Sequence, residues 1–73
     1  MARKEIRSEI TGSVWKILKQ PGDEVGEEDS LMILESMKME IPVLAEAAGK
    51  VVEILVKEND PVAEGQALVV LDV

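Results

Sequence analysis

The chain has 73 residues, a formal net charge of −7, and neither cysteine nor histidine. These counts exclude zinc and iron–sulfur sites, disulfides, thiol nucleophiles and imidazole bases, and they argue against an enzyme in so short a chain. An acidic surface repels phosphate backbones and anionic lipids, so neither nucleic acid nor membrane is expected as a partner. With no apolar leader after Met1 and no apolar run of bilayer length, we expect a cytoplasmic monomer.

Strands are predicted within residues 12–35. Valine, isoleucine and leucine supply 23 residues, and 16 of these are β-branched, which favours strands. The first strand is predicted after Gly12, with Trp15 and Ile17 on one face and Lys16 on the other. A turn and a short segment at Val25 precede the apolar strand at residues 31–34. Four acidic residues cluster around Val25, and we expect them either to form a solvated loop or to steer the protein towards basic partner surfaces. They are Glu24, Glu27, Glu28 and Asp29.

A hairpin is predicted at the centre of the chain. Beyond the apolar strand, Met39, Ile41, Val43 and Ala45 alternate with Lys38, Glu40, Pro42 and Leu44, which places Met37 and Lys38 at the tip. Tight hairpins prefer Asn-Gly or Gly-Gly, because their turns require positive φ. Met-Lys is a poor choice for such a turn, and local rules tend to be broken where function constrains the sequence.

The second half of the chain repeats the first. Residues 49–72 align with residues 12–35 without a gap, and nine of the 24 pairs are identical. Two such units must pack on one another, which predicts one all-β domain over residues 1–73, a flattened antiparallel sandwich or barrel with a pseudo-twofold axis. The hairpin links the two copies, so it should lie opposite the chain termini. Glu28 aligns with Gly65, so a left-handed turn there would strain Glu28.

The hairpin sequence resembles a known attachment motif. Residues 35–39, Glu-Ser-Met-Lys-Met, are similar to the Glu-Ala-Met-Lys-Met motif of the biotinyl/lipoyl attachment domain family. The family's paired Gly-Asp-x-Val and Gly-x-x-Leu elements appear at residues 22–25 and 65–68. Ser36 replaces the commoner alanine. Neither copy of the repeat has an insertion, so the protruding thumb loop of some bacterial acetyl-CoA carboxylase carriers is absent from the sequence. The resemblance covers essentially the whole chain, and the short length is like that of the free-standing attachment proteins.

The resemblance implies a fold and a function. The fold is two four-stranded antiparallel sheets related by a pseudo-twofold axis. The function is that of a biotin carboxyl carrier, in which Lys38 is modified by a biotin protein ligase. The attached biotin carries carboxylate between a biotin carboxylase and a carboxyltransferase. Met37 and Met39 are then flanking recognition residues, and the remaining members of the hairpin site are Glu35, Ser36 and Glu40. The protein would be a carrier and a ligase substrate, with no catalytic or metal site of its own.

Two alternatives remain open from the sequence. A lipoyl carrier, or a dual biotin and lipoyl acceptor served also by a lipoyl ligase, would use the same Lys38. Lipoyl domains usually have aspartate before the lysine and alanine after it, so Met37 and Met39 favour biotin. An unmodified β-sandwich interaction module belongs to a different class, and the intact Lys38 argues against it.

Overall fold

The computed structural model describes residues 2–73, and within them it contains eight strands and no helix. The strands are β1 (Arg3–Arg7), β2 (Gly12–Ile17), β3 (Glu24–Val25), β4 (Ser30–Ser36), β5 (Met39–Leu44), β6 (Gly49–Ile54), β7 (Pro61–Val62) and β8 (Ala67–Asp72).

These strands form two four-stranded antiparallel sheets, as predicted. One sheet has the order β1-β8-β6-β3 and is called the terminal sheet, because it contains the first and the last strand, β1 and β8. The other has the order β5-β4-β2-β7 and is called the hairpin sheet. Apolar side chains from both sheets meet in one core, whose largest fully buried members are Ile6, Leu31, Met32, Leu34, Leu68, Leu71, Val14, Val51 and Val69.

Hydrogen bonds repeat between the two halves at the offset of 37 residues. The Gly22 amide donates to the Val51 carbonyl at 2.8 Å, and at the equivalent position the Asn59 amide donates to Val14 at 2.7 Å. The amides of Glu28 and Gly65 likewise donate to the carbonyls of Ala45 and Ser8, both at 2.8 Å. The acceptors of this second pair of hydrogen bonds, Ala45 and Ser8, lie outside residues 12–35 and 49–72. The structural repeat therefore extends back to include β1 and β5, whose sequences have diverged.

The face predicted for Trp15 was wrong. Val14 pairs with Leu34 and Lys16 pairs with Ile33, so Trp15 is the extra residue of a β-bulge. A bulge breaks the period of two. As a result Val14 is buried, whereas Trp15 is 45% exposed and lies outside the core. The second copy has the same bulge between Val51 and Glu53. The predicted alternation in β5 is confirmed, because Val43 and Ala45 are buried and Ile41 is partly buried.

Left-handed backbone occurs at matched turn positions of the two copies. Glu28 has φ 72° and its counterpart Gly65 has φ 86°. Gly22 and Asn59 form a second such pair, at 97° and 74°. The left-handed backbone under which strain at Glu28 was expected is therefore present. A non-glycine residue in this region costs roughly 1–2 kcal/mol.

The molecule is elongated, and the hairpin lies at one end. It measures 36 × 17 × 17 Å. β5 runs away from the hairpin turn. Just beyond its far end, the Glu46 carboxylate forms an ion pair with the Lys4 Nζ at 3.3 Å. Lys4 lies next to the N terminus, so the hairpin and the termini occupy opposite ends. Residues 2–73 contain no helix long and apolar enough to cross a membrane.

Candidate functional site

The hairpin turn consists of two residues in left-handed conformation. Met37 has φ 51° and Lys38 has φ 66°, and they connect Ser36 directly to Met39. Positive φ at both central residues is the geometry of the type I′ turn, which glycine and asparagine normally occupy. Each of these two residues carries a strain of about 1–2 kcal/mol. The chain therefore keeps two long side chains where the backbone favours the smallest ones.

The base of the turn is fixed by an adjacent segment. Ser36 pairs with Met39 in the last rung of the hairpin, and the Ser36 Oγ donates a hydrogen bond to the Thr11 carbonyl at 3.0 Å. Next to it, Gly12 lies so close to the Glu35 carbonyl that any β-carbon on residue 12 would overlap it. Glycine at this position lets β2 approach the hairpin, so Lys38 stands on a supported base.

The side chains around Lys38 face solvent. Met37 is 89% exposed and Met39 is 58% exposed, although both are apolar. Lys38 is exposed as well. Within residues 2–73 the ion pairs are Lys4–Glu46 and Arg7–Glu5, and neither lies in the hairpin. The amine is thus accessible at the end of the molecule between two exposed thioethers.

The structure brings the six predicted site residues into one hairpin, but they do not occupy equivalent environments. Five are exposed, and these are Glu35, Met37, Lys38, Met39 and Glu40. Ser36 is half-buried under the turn with its hydroxyl occupied by the Thr11 carbonyl, so its contact is structural. The sequence interpretation missed Thr11 and Gly12, although the identity of Gly12 and Gly49 in the repeat was a signal for a shared close approach.

The loop acids do not form one patch. Asp29 uses its Oδ2 to accept the Gly26 amide at 2.8 Å and so stabilises its own turn. Glu24 lies in β3 at the edge of the terminal sheet, whereas Glu27 and Glu28 line an open groove between β1 and β5. The steering role suggested for this cluster stays a prediction.

Comparisons with known proteins agree with this geometry. The biotin/lipoyl family model, described as "Biotin-requiring enzyme", matches residues 4–71. The chain belongs to the biotin/lipoyl attachment domain family. It is 43% identical over 68 residues to the biotinylated protein TB7.3 homolog of Mycobacterium leprae, covering 93% of this chain and 96% of that protein. It is also 43% identical over 63 residues to the biotin/lipoyl attachment protein of Bacillus subtilis, covering 86% of each.

A solved structure supports the fold independently. The urea carboxylase of Kluyveromyces lactis superposes with a TM-score of 0.93 at 38% identity, over 99% of this chain. The match spans only 6% of the carboxylase chain. Members of the family therefore occur both as small attachment proteins and as short parts of large enzymes.

Proposed function

We propose that the protein is a biotin carboxyl carrier in which Lys38 is the attachment residue. The observation that carries this proposal is the left-handed Met37–Lys38 turn, which displays an accessible amine despite the backbone strain. Strained backbone at an exposed tip is typical of sites where function, and not stability, selects the residues. The names of the relatives support biotin as the group attached.

Attachment is an acyl transfer in which this chain is the nucleophile. A ligase presents biotin as its adenylate. The Lys38 Nζ, after losing a proton to the ligase or to solvent, attacks the acyl carbon. An amide bond forms, the acyl–phosphate bond breaks, and AMP leaves with the electron pair. A lysine amine is almost fully protonated at neutral pH, so the ligase must supply the activation.

The residues of the hairpin fit an attached biotin because Lys38 points to solvent from a rigid base. Biotin supplies a ureido group that accepts and donates carboxylate. The chain itself contributes position: the β4–β5 ladder holds the lysine at a fixed point, and its long side chain remains free to move. We further propose that the carrier works as a cytoplasmic monomer between a biotin carboxylase and a carboxyltransferase.

Intact mass spectrometry tests the attachment residue. The purified chain is incubated with a biotin protein ligase, ATP and biotin, and we expect one biotin adduct. The Lys38→Ala variant should gain no mass, whereas Lys50→Ala, which removes an exposed lysine of the terminal sheet, should label like wild type. Labelling of Lys38→Ala would contradict the proposal.

Lipoyl is a second candidate because the Bacillus subtilis relative is named a biotin/lipoyl attachment protein. We propose that Met37 and Met39 bias the choice towards biotin, since full burial of a methionine in a ligase pocket is worth about 1.5–3 kcal/mol. Aspartate at residue 37 would place a charge in that pocket.

The choice of ligase is measured on the Met37→Asp, Met39→Ala double variant. We expect a folded protein with a lower ratio of biotin to lipoyl incorporation than wild type, with a thermal melt as the folding control. A folded variant with an unchanged ratio would show that the ligases recognise another surface.

A further inference from the structure

The pseudo-twofold axis provides an internal control for every surface of the molecule. The outer face of the hairpin sheet has its counterpart on the outer face of the terminal sheet, position by position at the offset of 37. Both faces have the same strand pleat, the same β-bulge and the same arrangement of edge strands. A difference in composition between them therefore reflects something other than the fold.

The outer face of the hairpin sheet is largely apolar below the turn. Next to the turn lies the row Ser13, Glu35 and Glu40. The following outward row contains Lys16, Ile33 and Pro42, and the bulge adds Trp15 beside it. Neither Trp15 nor Ile33 packs against the core, and Trp15 is 45% exposed.

The equivalent face of the terminal sheet is charged. Its first row contains Lys50, Asp72 and Arg3, and its second contains Glu53, Val70 and Glu5. Val52 occupies the bulge where the hairpin sheet has tryptophan. Five of these seven positions carry charges, against three of seven on the hairpin sheet. The fold thus accepts glutamate where the hairpin sheet has Pro42, and valine at the bulge where it has tryptophan, whereas Val70 is as apolar as its counterpart Ile33. The size of Trp15 and the apolar residue at position 42 are therefore not required by the fold.

We propose that this apolar face, defined by Trp15, Ile33 and Pro42, is the docking surface for the biotin ligase. The inference rests on the proposed function and extends it. Tryptophan is enriched among the residues that anchor protein interfaces, and an exposed apolar patch on a small acidic protein marks an interaction site. The row of Glu35 and Glu40 lies between the patch and Lys38, so the complementary surface is an apolar pocket with a basic rim towards the active site.

The position of the patch selects the ligase over the carboxylase subunits. The ligase must hold the Lys38 Nζ itself against the acyl carbon, so its surface necessarily covers the flank of the turn. The row of Ile33 and Pro42 is about four residues along the strand from Lys38, or roughly 13 Å at the rise of an antiparallel strand. The carboxylase subunits meet the far end of the extended arm and do not need this contact.

Exchange of residues between the two faces tests the proposal. In Trp15→Val, Pro42→Glu, the hairpin sheet takes the residues that the terminal sheet already has at the same positions. We expect the ligase KM for the carrier to rise about tenfold with kcat unchanged, the size expected on losing a tryptophan anchor. Trp15→Val alone should also raise the ligase KM. This single variant replaces the double variant in the test if the double variant has a low melting temperature.

The matched control changes the opposite face. Val52→Ala, Glu5→Gln alters the equivalent bulge and strand position of the terminal sheet and should leave the ligase KM unchanged. An unchanged ligase KM in the folded hairpin-face variants would overturn the proposal. It would also be overturned if these variants, biotinylated beforehand, raised only the KM of the carboxylase for the carrier.

Two further measurements separate this proposal from others. Wild-type dimers in sedimentation that dissociate on Trp15→Val would assign the face to a second copy and overturn the ligase assignment. If the hairpin-face variants are fully biotinylated at saturating ligase and their ligase KM equals that of wild type, the docking surface is refuted but the proposed function is not. Absence of any biotin adduct on wild type would refute the proposed function as well.

Discussion

The two copies of the repeat share one hydrogen-bond plan, yet they differ at their ends and on their outer faces. The hairpin copy ends in the strained Met37–Lys38 turn, whereas the equivalent position of the other copy is the chain terminus, where Ala2 and Val73 exchange backbone hydrogen bonds at 3.0 and 2.8 Å. What both copies keep, such as Gly12 and Gly49, is what the fold requires. What only one copy has is available for function.

The largest effect should come from the shared glycines. In Gly12→Ala and Gly49→Ala, the new β-carbon overlaps a backbone carbonyl, that of Glu35 or Asp72, which cannot move without breaking its ladder. We expect each variant to lose about 3 kcal/mol of unfolding free energy, measured by urea denaturation. Gly22→Ala, where the added carbon meets open space, serves as the control and should lose about 1 kcal/mol. A loss confined to one of the two copies would show that the repeat is not energetically equivalent.

The hairpin turn should gain stability when its function is removed. Met37→Asn, Lys38→Gly supplies the residues that a type I′ turn prefers, so we expect a gain of about 1–2 kcal/mol together with complete loss of attachment. Lys38→Ala keeps a β-carbon in the left-handed region and should change stability by less than about 0.5 kcal/mol. A double variant no more stable than wild type would mean that the turn is not strained.

The matched loop turns offer a smaller exchange. Glu28→Gly relieves a left-handed glutamate, worth about 1 kcal/mol, against the slightly smaller extra entropy of glycine in the unfolded chain. We therefore expect a neutral to mildly stabilising change. The reciprocal Gly65→Glu should destabilise by about 1 kcal/mol. Equal melting temperatures for Gly65→Glu and wild type would show that the backbone at residue 65 tolerates a side chain.

Sequence patterns predicted the sheets and the hairpin because both depend on local periodicity and on the repeat. The alternation through Val43 predicted the face of β5, and the misfit of Met-Lys at a tight turn predicted the strained tip. The bulge at Trp15 was missed, since a single extra residue leaves an apolar strand looking regular. The apolar outer face was missed for the same reason: with Trp15 assigned inward, no patch could be recognised. The support under the turn depends on Thr11 and Ser36, which are 25 residues apart and share no pattern.

The smallest expected effect concerns the charges beside Lys38. Glu35 and Glu40 face each other directly on adjacent strands of the hairpin sheet, whereas the equivalent pair on the terminal sheet is Asp72 opposite Arg3. Like charges in directly opposed positions destabilise an antiparallel pair, and opposite charges stabilise it by roughly 0.2–1 kcal/mol. Glu40→Arg should therefore raise the unfolding free energy by about 0.5 kcal/mol at low salt, and Arg3→Glu should lower it by a similar amount. Because Glu40 and Arg3 are exposed, both stability changes should become smaller together as salt screens the charges. Urea titrations at low and high ionic strength measure this. A salt-independent gain in Glu40→Arg would indicate packing by the arginine stem and not relief of charge repulsion, and the carboxylate pair would then cost the hairpin nothing.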